Sequence, residues 1–338
     1  MIDGTVAVLG YGHQGRAQAL NLRDAGWRVV VGAREGGAGA TRAIADGFAP
    51  RPLAAAAAAA SAVAPGGAGL LALLLPDDLI PALVEAEIAP AVGPGTTLLL
   101  AHGSAIVYGG LVAPPGCDLA LVAPAAPGAV LRAEFEAGRG VPTYIAVAPG
   151  AADPARARAR ATAWARALGA EQPGGTLLET DVESETVIDL FGEQAVVVGG
   201  VTELVEAAFA TLVDAGYDER VAYLEVVHQL KHLVDVIHAE GPDRLRDRIS
   251  GTALYGALTR GPRVINAISR AAMENMLAEI ESGEFAAERA ADLAAGSPRQ
   301  AALREAARAR GLTAVRARAL AGGGAPADEP SPPHPPTR

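Results

Sequence analysis

Four residues into the chain a short apolar run, Thr5–Leu9, leads straight into Gly10-Tyr11-Gly12-His13-Gln14-Gly15 and then a helix-like segment, His13–Ala25. Few local patterns restrict a fold as much. A strand that turns on glycines into a helix lets the backbone approach a pyrophosphate at the positive end of that helix. A lone G-x-G-x-x-G is weak, and a glycine turn with no ligand is its plain alternative. Here the motif stands in the right context, and Gly10, Tyr11, Gly12, His13, Gln14 and Gly15 are the expected dinucleotide-binding turn.

The rest of the first half fits that context. Strand candidates are Val6–Leu9, Val29–Gly32, Leu70–Leu75, Thr97–Ala101, Leu119–Val122 and Thr143–Val147, with helical segments such as Leu79–Ile88 and Pro154–Leu168 between them. Alternation of this kind predicts a parallel sheet covered on both faces. From about Val182 strand signals vanish. Helices are expected over Glu183–Ala215, Glu219–Ala239, Asp243–Thr259 and Gly261–Ser282. The expected class is therefore α/β: a Rossmann domain over 1–181, an all-α domain over 182–321, and a Gly/Pro/Ser-rich disordered tail over 322–338.

Composition narrows the partners. The chain has 338 residues, a net charge of −10 and no Lys/Arg cluster on one face, which argues against nucleic acid. One cysteine, Cys117, excludes an internal disulfide framework and reads as a small residue at a strand start. No signal peptide is recognisable, and Ala54–Ala60 is too short to span a bilayer. A soluble cytoplasmic enzyme with no membrane partner is expected.

At the end of the second strand, Arg34 can meet a 2′-phosphate, whereas Glu35 can accept from a 2′-hydroxyl and would repel a phosphate. The residues that follow, through Gly39, offer neither serine nor cation, so NAD is expected over NADP. Further on, Asp189-Leu190-Phe191-Gly192-Glu193-Gln194 sets two carboxylates four apart on one helix face beside an apolar run. Glu225 and Gln229 repeat the spacing. Three carboxylates and an amide suit Mg²⁺, which prefers oxygen ligands. Solvated helix faces account for the same residues equally well.

At these residues the chain resembles the ketol-acid reductoisomerase family. The matching stretches are Val8–Leu22, Gly32–Glu35, Leu74–Asp78, Ala101–Gly103, Asp189–Gln194 and Tyr255–Val264, spread over most of the sequence. The resemblance implies a knotted helical domain that dimerises to complete the active sites. It implies an NADPH-dependent enzyme with Mg²⁺ that shifts an alkyl group in a 2-acetolactate-type substrate and reduces the ketone. By motif position, Leu75, Pro76 and Pro127 join the cofactor site, and His102 stands beside the nicotinamide. Asp189 and Glu193 bind metal and, with His102, form the catalytic set. Glu225 is a metal ligand donated by a partner subunit, and Ser250 holds the substrate carboxylate.

The chain departs from the family where substrate would sit. The family's Ala-Pro-Lys-Gly-Pro-Gly-His reads Ala123-Pro124-Ala125-Ala126-Pro127-Gly128-Ala129, so a lysine and a histidine are both alanine. A ligand glutamate is Gln229, another glutamate is Leu254, and the serines of the cofactor loop are missing. Random decay would spoil the glycine turn and the DLFGEQ helix too, and both are intact. Ala125, Gln229, Leu254 and Ser250 are therefore the residues expected against the hydroxy-acid substrate. Loss of an ammonium removes roughly 1–4 kcal/mol of repulsion against a cationic substrate group. Within the family the sequence is similar to a remodelled, cyclopropanol-forming type. That type implies a redox-neutral ring closure on a dimethylsulfonium dihydroxypentanoate, with NAD and Mg²⁺. An ordinary ketol-acid reductoisomerase and an inactive dinucleotide-binding regulatory protein are the alternatives.

Overall fold

The structure is a computed structural model that describes residues 5–62 and 69–321; the expected tail, 322–338, lies outside them. Two compact units divide at Asp189/Leu190.

The first unit carries a sheet of seven strands: β1 (Thr5–Leu9), β2 (Arg28–Gly32), β3 (Leu70–Leu73), β4 (Thr97–Leu100), β5 (Asp118–Pro124), β6 (Pro142–Val147) and β7 (Thr176–Glu179). Their order is β2-β1-β3-β4-β5-β6-β7, so the chain reverses direction across the sheet between β1 and β3. Its helices are α1 (His13–Asp24), α2 (Ala38–Ala45), α3 (Leu53–Ala62), α4 (Ile80–Leu83), α5 (Ser104–Val107), α6 (Gly128–Glu136), α7 (Pro154–Ala167) and most of α8 (Val182–Gly192).

Apolar side chains alternate through the sheet into two cores. Val6, Val8, Ala120 and Val122 pack with Ala19 and Leu22 of α1 and Trp164 of α7. Ala7, Leu9, Leu71 and Leu98 pack with Ala56, Ala57 and Ala60 of α3. Burial on both faces is why these strands read as continuous apolar runs.

One pairing differs from the expected parallel sheet. Strand β6 runs antiparallel to β5, with Pro124 opposite Thr143. Helix α6 packs on α1, where Asn21 Nδ2 donates to Leu131 O at 3.5 Å. The chain then returns to the same end of β5 that it left. Strand β7 is a short, largely exposed edge with weak patterning, and the sequence reading passed over it.

The second unit is helical: α9 (Gly199–Asp214), α10 (Glu219–Tyr223), α11 (Leu230–Glu240), α12 (Pro242–Asp247), α13 (Gly251–Val264), α14 (Ala267–Glu281), α15 (Glu284–Ala294), α16 (Pro298–Ala309) and α17 (Leu312–Leu320). Several breaks correct the long helices expected here. Residues Glu193–Val197 and Leu224–His228 are π-helical turns. The helix expected over Asp243–Thr259 stops after Asp247, and Ser250 caps a new one, its Oγ accepting from Ala253 N at 3.2 Å. The helix expected from Gly261 begins at Ala267, because Asn266 and Ser269 form a reciprocal cap.

Phe209, Ala222, Tyr223 and Val315 form a small core in this unit. Much apolar surface stays open, including Val196, Val197, Val198, Leu258, Val264 and Ile268. Apolar exposure on this scale marks an interaction surface.

Candidate active site

The C-terminal ends of β1, β3, β4 and β5 lie side by side in register, so the loops that follow them share one edge of the sheet. Ligands of open α/β sheets bind at such an edge, at the reversal of strand order.

After β1 the backbone turns at Gly10 with φ of +99°, and a Cβ there would lie 2.1 Å from Leu74 O. A Cβ on Gly15 would sit 2.1 Å from Gly10 O, so α1 can press onto the turn only as glycine. Gly12 caps α1 and has nothing within 4 Å of a built Cβ, which leaves the open side for a ligand. The first N–H groups of α1 have no partner within the helix and carry its positive end.

Helix α6 starts against this turn. A Cβ on Gly128 would lie 2.2 Å from His13 O, and Gln14 Nε2 donates to Ala126 O at 2.9 Å. A cavity of about 420 Å³ opens here, lined by Gly12, His13, Arg16, Arg42, Gly128 and Arg132 among others. Tyr11 turns its side chain inward: its hydroxyl donates to Asp46 Oδ2 at 3.0 Å and its ring meets Phe48 edge-on. Only its backbone belongs to the open face of the turn.

The other expected cofactor residues sit at the same edge. Arg34 and Glu35 are exposed just after β2. Leu75 is half-buried after β3, and exposed Pro76 opens a 3-10 turn, Asp77–Leu79. Pro127 is exposed and caps α6.

His102 follows β4. Its Nε2 lies 3.2 Å from Asp189 Oδ2, off the line of a good hydrogen bond but at ion-pair distance. Its Nδ1 accepts from Ser104 N at 3.3 Å, which leaves any proton of the neutral ring on Nε2, toward Asp189. Burial opposes charge on this imidazole, but Asp189 and Glu185 outweigh it and hold its pKa above the usual histidine value. Glu185, one turn before Asp189, is buried, and burial pushes its pKa up to about 7, with His102 opposing and Asp189 adding to the rise. Its Oε2 has no hydrogen-bond partner. Helix α8 comes this close because of Gly103, where a Cβ would meet Thr186 Oγ1 at 2.0 Å. His102, Glu185 and Asp189 thus form a proton-holding group with one carboxyl poised near neutrality. Ala125 is exposed just beyond the neighbouring strand β5.

In the second unit Glu193 opens one π-helical turn and Glu225 lies in the other, both exposed. Single π-turns inside α-helices cluster at functional sites. Gln229 is exposed at the start of α11, Ser250 caps α13, and Leu254 is half-buried on α13. Among the described residues no group of three or more His, Cys, Asp or Glu side chains is placed to hold a metal ion.

Sequence reasoning missed three parts of this site. Glu185 was legible, since it extends the i, i+4 spacing of Asp189 and Glu193 backwards by one turn. Gly128 and Arg42 were not, because they reach the turn only through the packing of α6 and α2.

Residues 182–320 match the family model for the ketol-acid reductoisomerase C-terminal domain, and residues 1–174 match that for the acetohydroxy acid isomeroreductase NADPH-binding domain. The ketol-acid reductoisomerase (NADP(+)) of Methanocaldococcus jannaschii is 42% identical over 302 residues, which are 89% of this chain and 88% of that protein. The structure of an NADH-preferring ketol-acid reductoisomerase from an uncultured archaeon superposes with a TM-score of 0.85 at 36% identity, covering 94% of this chain and 93% of that one. A semialdehyde dehydrogenase NAD-binding protein from Cupriavidus necator, 20% identical with a TM-score of 0.62, covering 83% of this chain and 99% of that one, shares the fold alone. With both halves of its length matched and the glycine turn, His102 and the DLFGEQ helix in place, the chain belongs to the ketol-acid reductoisomerase family.

Proposed function

We propose that this enzyme is a remodelled ketol-acid reductoisomerase that uses NAD and Mg²⁺ for a redox-neutral ring closure on a cationic 2,3-dihydroxy acid. The carrying observation is the intact His102–Glu185–Asp189 group, with Ala125 at the neighbouring strand end where the family motif has lysine. Proton-handling groups persist while the positive charge beside them is gone.

The dinucleotide fits. Gly12 leaves space at the start of α1, and the cavity beside it is large enough for part of such a ligand. Mg²⁺ fits by donor chemistry, since Asp189, Glu193 and Glu225 offer only carboxylate oxygens. When bound, the nicotinamide supplies reversible hydride transfer and the cation supplies Lewis acidity toward substrate oxygens. Gly12 and His13 N–H groups bind the pyrophosphate. Asp189 orients the His102 ring, and His102 takes the proton from C3 of the substrate. Ala125 and Ala129 leave room for a bulky sulfonium, while Ser250, Gln229 and Leu254 face the rest of the substrate. Overall, 5-dimethylsulfonio-2,3-dihydroxypentanoate loses dimethyl sulfide and one proton: a C–S bond breaks as a C3–C5 bond closes the cyclopropanol. Release of dimethyl sulfide from that substrate with catalytic NAD⁺ tests the reading.

A second reading, ordinary isomeroreduction of acetolactate, is favoured by the 42% identity to the Methanocaldococcus enzyme. Turnover of 2-acetolactate separates the two.

Glu35 supports NAD over NADP: a carboxylate near the 2′ position repels a phosphate. NADH should bind about tenfold or more tighter than NADPH at one salt concentration, and Glu35→Ser should narrow the gap. Tighter NADPH binding in the wild type would sink this preference.

We read the active unit as at least a homodimer in a soluble, cytoplasmic enzyme. The run Val182–Asp214 is long and apolar enough to cross a membrane by length and composition, and is mostly unburied. Together with exposed Leu258, Val264 and Ile268 it offers surface for a second copy. If Glu225 is donated across that contact, mixed Asp189→Asn and Glu225→Gln subunits, each inactive alone, should regain activity. Heterodimers would hold one intact site in two, so up to roughly a quarter of wild-type activity is expected after full statistical exchange. No recovery after mass-verified subunit exchange would argue that each chain builds its own site.

A further inference from the structure

Three arginines line the cavity at the start of α1, and they are not equivalent. Arg16 is held by Asp46 through Nε at 2.7 Å and Nη2 at 2.9 Å. Arg132 is held by Asp24, Glu136 and Asn21. Arg42, from α2, has no carboxylate partner among the described residues. Its Nη2 donates to Tyr11 O at 3.1 Å, inside the glycine turn.

That bond has a geometric consequence. The Tyr11–Gly12 peptide is trans and planar, so its C=O and N–H point in opposite directions. A guanidinium fixed to Tyr11 O therefore fixes the direction of Gly12 N–H, the donor at the glycine whose outer side is open. Tyr11 cannot move away, because its ring is buried and its hydroxyl is tied to Asp46 at the end of α2. Gly39, on the same helix, packs beside Tyr11 as well, 3.6 Å from a built Cβ to Tyr11 Cβ.

We propose that Arg42 is a positioning residue of the dinucleotide site, holding the Tyr11–Gly12 peptide so that Gly12 N–H is aimed at the pyrophosphate. This rests on the dinucleotide reading above. Because the pyrophosphate is common to both cofactors, Arg42 acts on NADH and NADPH alike, whereas Glu35 acts on their difference.

The test measures dissociation constants of NADH, NADPH, ADP-ribose and AMP for wild type, Arg42→Ala and Arg42→Lys, with melting temperatures alongside. Failure of the wild type to bind NADH or NADPH would overturn the dinucleotide reading itself, which keeps that failure apart from this one. Given wild-type binding, Arg42→Ala should weaken NADH, NADPH and ADP-ribose to a similar extent, roughly tenfold, the worth of one hydrogen bond from a charged group. AMP, which lacks the pyrophosphate, should change by less than about twofold. Arg42→Lys, which keeps a donor, should recover most of the loss, a rescue that a merely structural role in α2 would not show. Unchanged NADH affinity in Arg42→Ala overturns the proposal. So does a loss confined to NADPH, which would place Arg42 at the 2′-phosphate instead, and so does an equal loss for AMP.

Discussion

Asp189→Asn should abolish turnover while leaving dinucleotide affinity within about twofold of wild type. The side chain lies 3.2 Å from His102 Nε2 and is absent from the lining of the cavity at the glycine turn. Asparagine keeps the shape but not the charge, and it loses both an oxygen donor for a divalent cation and the partner that raises His102. A positioned acid–base group contributes roughly 10²–10⁴ in rate, so a fall of at least that size is expected before any loss of metal is counted. The sign of the pH effect follows from the burial of His102. With the Asp189 charge removed, burial is opposed by fewer carboxylates and the imidazole gives up its proton at lower pH. Any residual activity should therefore show its histidine-linked limb shifted toward acid. Turnover close to wild type in Asp189→Asn would remove Asp189 from the chemistry altogether.

The parts of this molecule that were legible in the sequence share a physical cause: they are local. The strands β1, β3, β4 and β5 are rich in Val, Leu and Ala buried on both faces, and such runs stand out without knowledge of their neighbours. The glycine turn is legible because two of its three glycines, Gly10 and Gly15, answer to close approaches that only glycine allows, at Leu74 O and at Gly10 O, while Gly12 leaves the outer side open. Non-local features were hidden. The reversed direction of β6 depends on where α6 packs, not on any residue of β6. The break at Arg248–Ser250 was readable in principle, since Ser250 followed by glycine is a common helix start, but the apolar pattern ran past it. The π-turns at Glu193 and Glu225 leave no mark in residue periodicity. Arg42 stands eight residues beyond Arg34, past the loop whose chemistry was read for cofactor choice, and only the placement of α2 beside Tyr11 brings it to the turn. Family resemblance supplied His102, whose role no spacing rule would have shown. The structure then supplied its environment, in which Glu185 is the addition of most chemical consequence.

The enzyme is expected to turn over 5-dimethylsulfonio-2,3-dihydroxypentanoate with NAD⁺ and Mg²⁺, and to fail, by roughly a thousandfold or more in kcat/KM, on 2-acetolactate with NAD(P)H. The alkyl shift of the parent reaction requires proton delivery to a developing alkoxide, for which the family motif supplies a lysine. Ala125 stands at that place, exposed beyond β5, and has no proton to give. Gln229, at the start of α11, is neutral where the motif has a glutamate, and so weakens a cation site built from carboxylates. Ring closure asks less of the protein. A dialkyl sulfide leaves as a neutral molecule without protonation, so no acid is needed on that side. The one proton released, from C3, has an acceptor in His102, held by Asp189 and backed by a buried carboxyl whose pKa stands at about 7. The missing ammonium also removes a charge that would repel the sulfonium. Three readings of the assay decide the matter. Dimethyl sulfide released in many-fold excess over added NAD⁺ supports a cycle that returns its hydride. Consumption of one NAD⁺ per sulfide would mean that the product stays oxidised and the reaction is not redox-neutral. Efficient conversion of acetolactate, at rates ordinary for a ketol-acid reductoisomerase, would overturn the remodelled reading and leave the parent activity as the function of this chain.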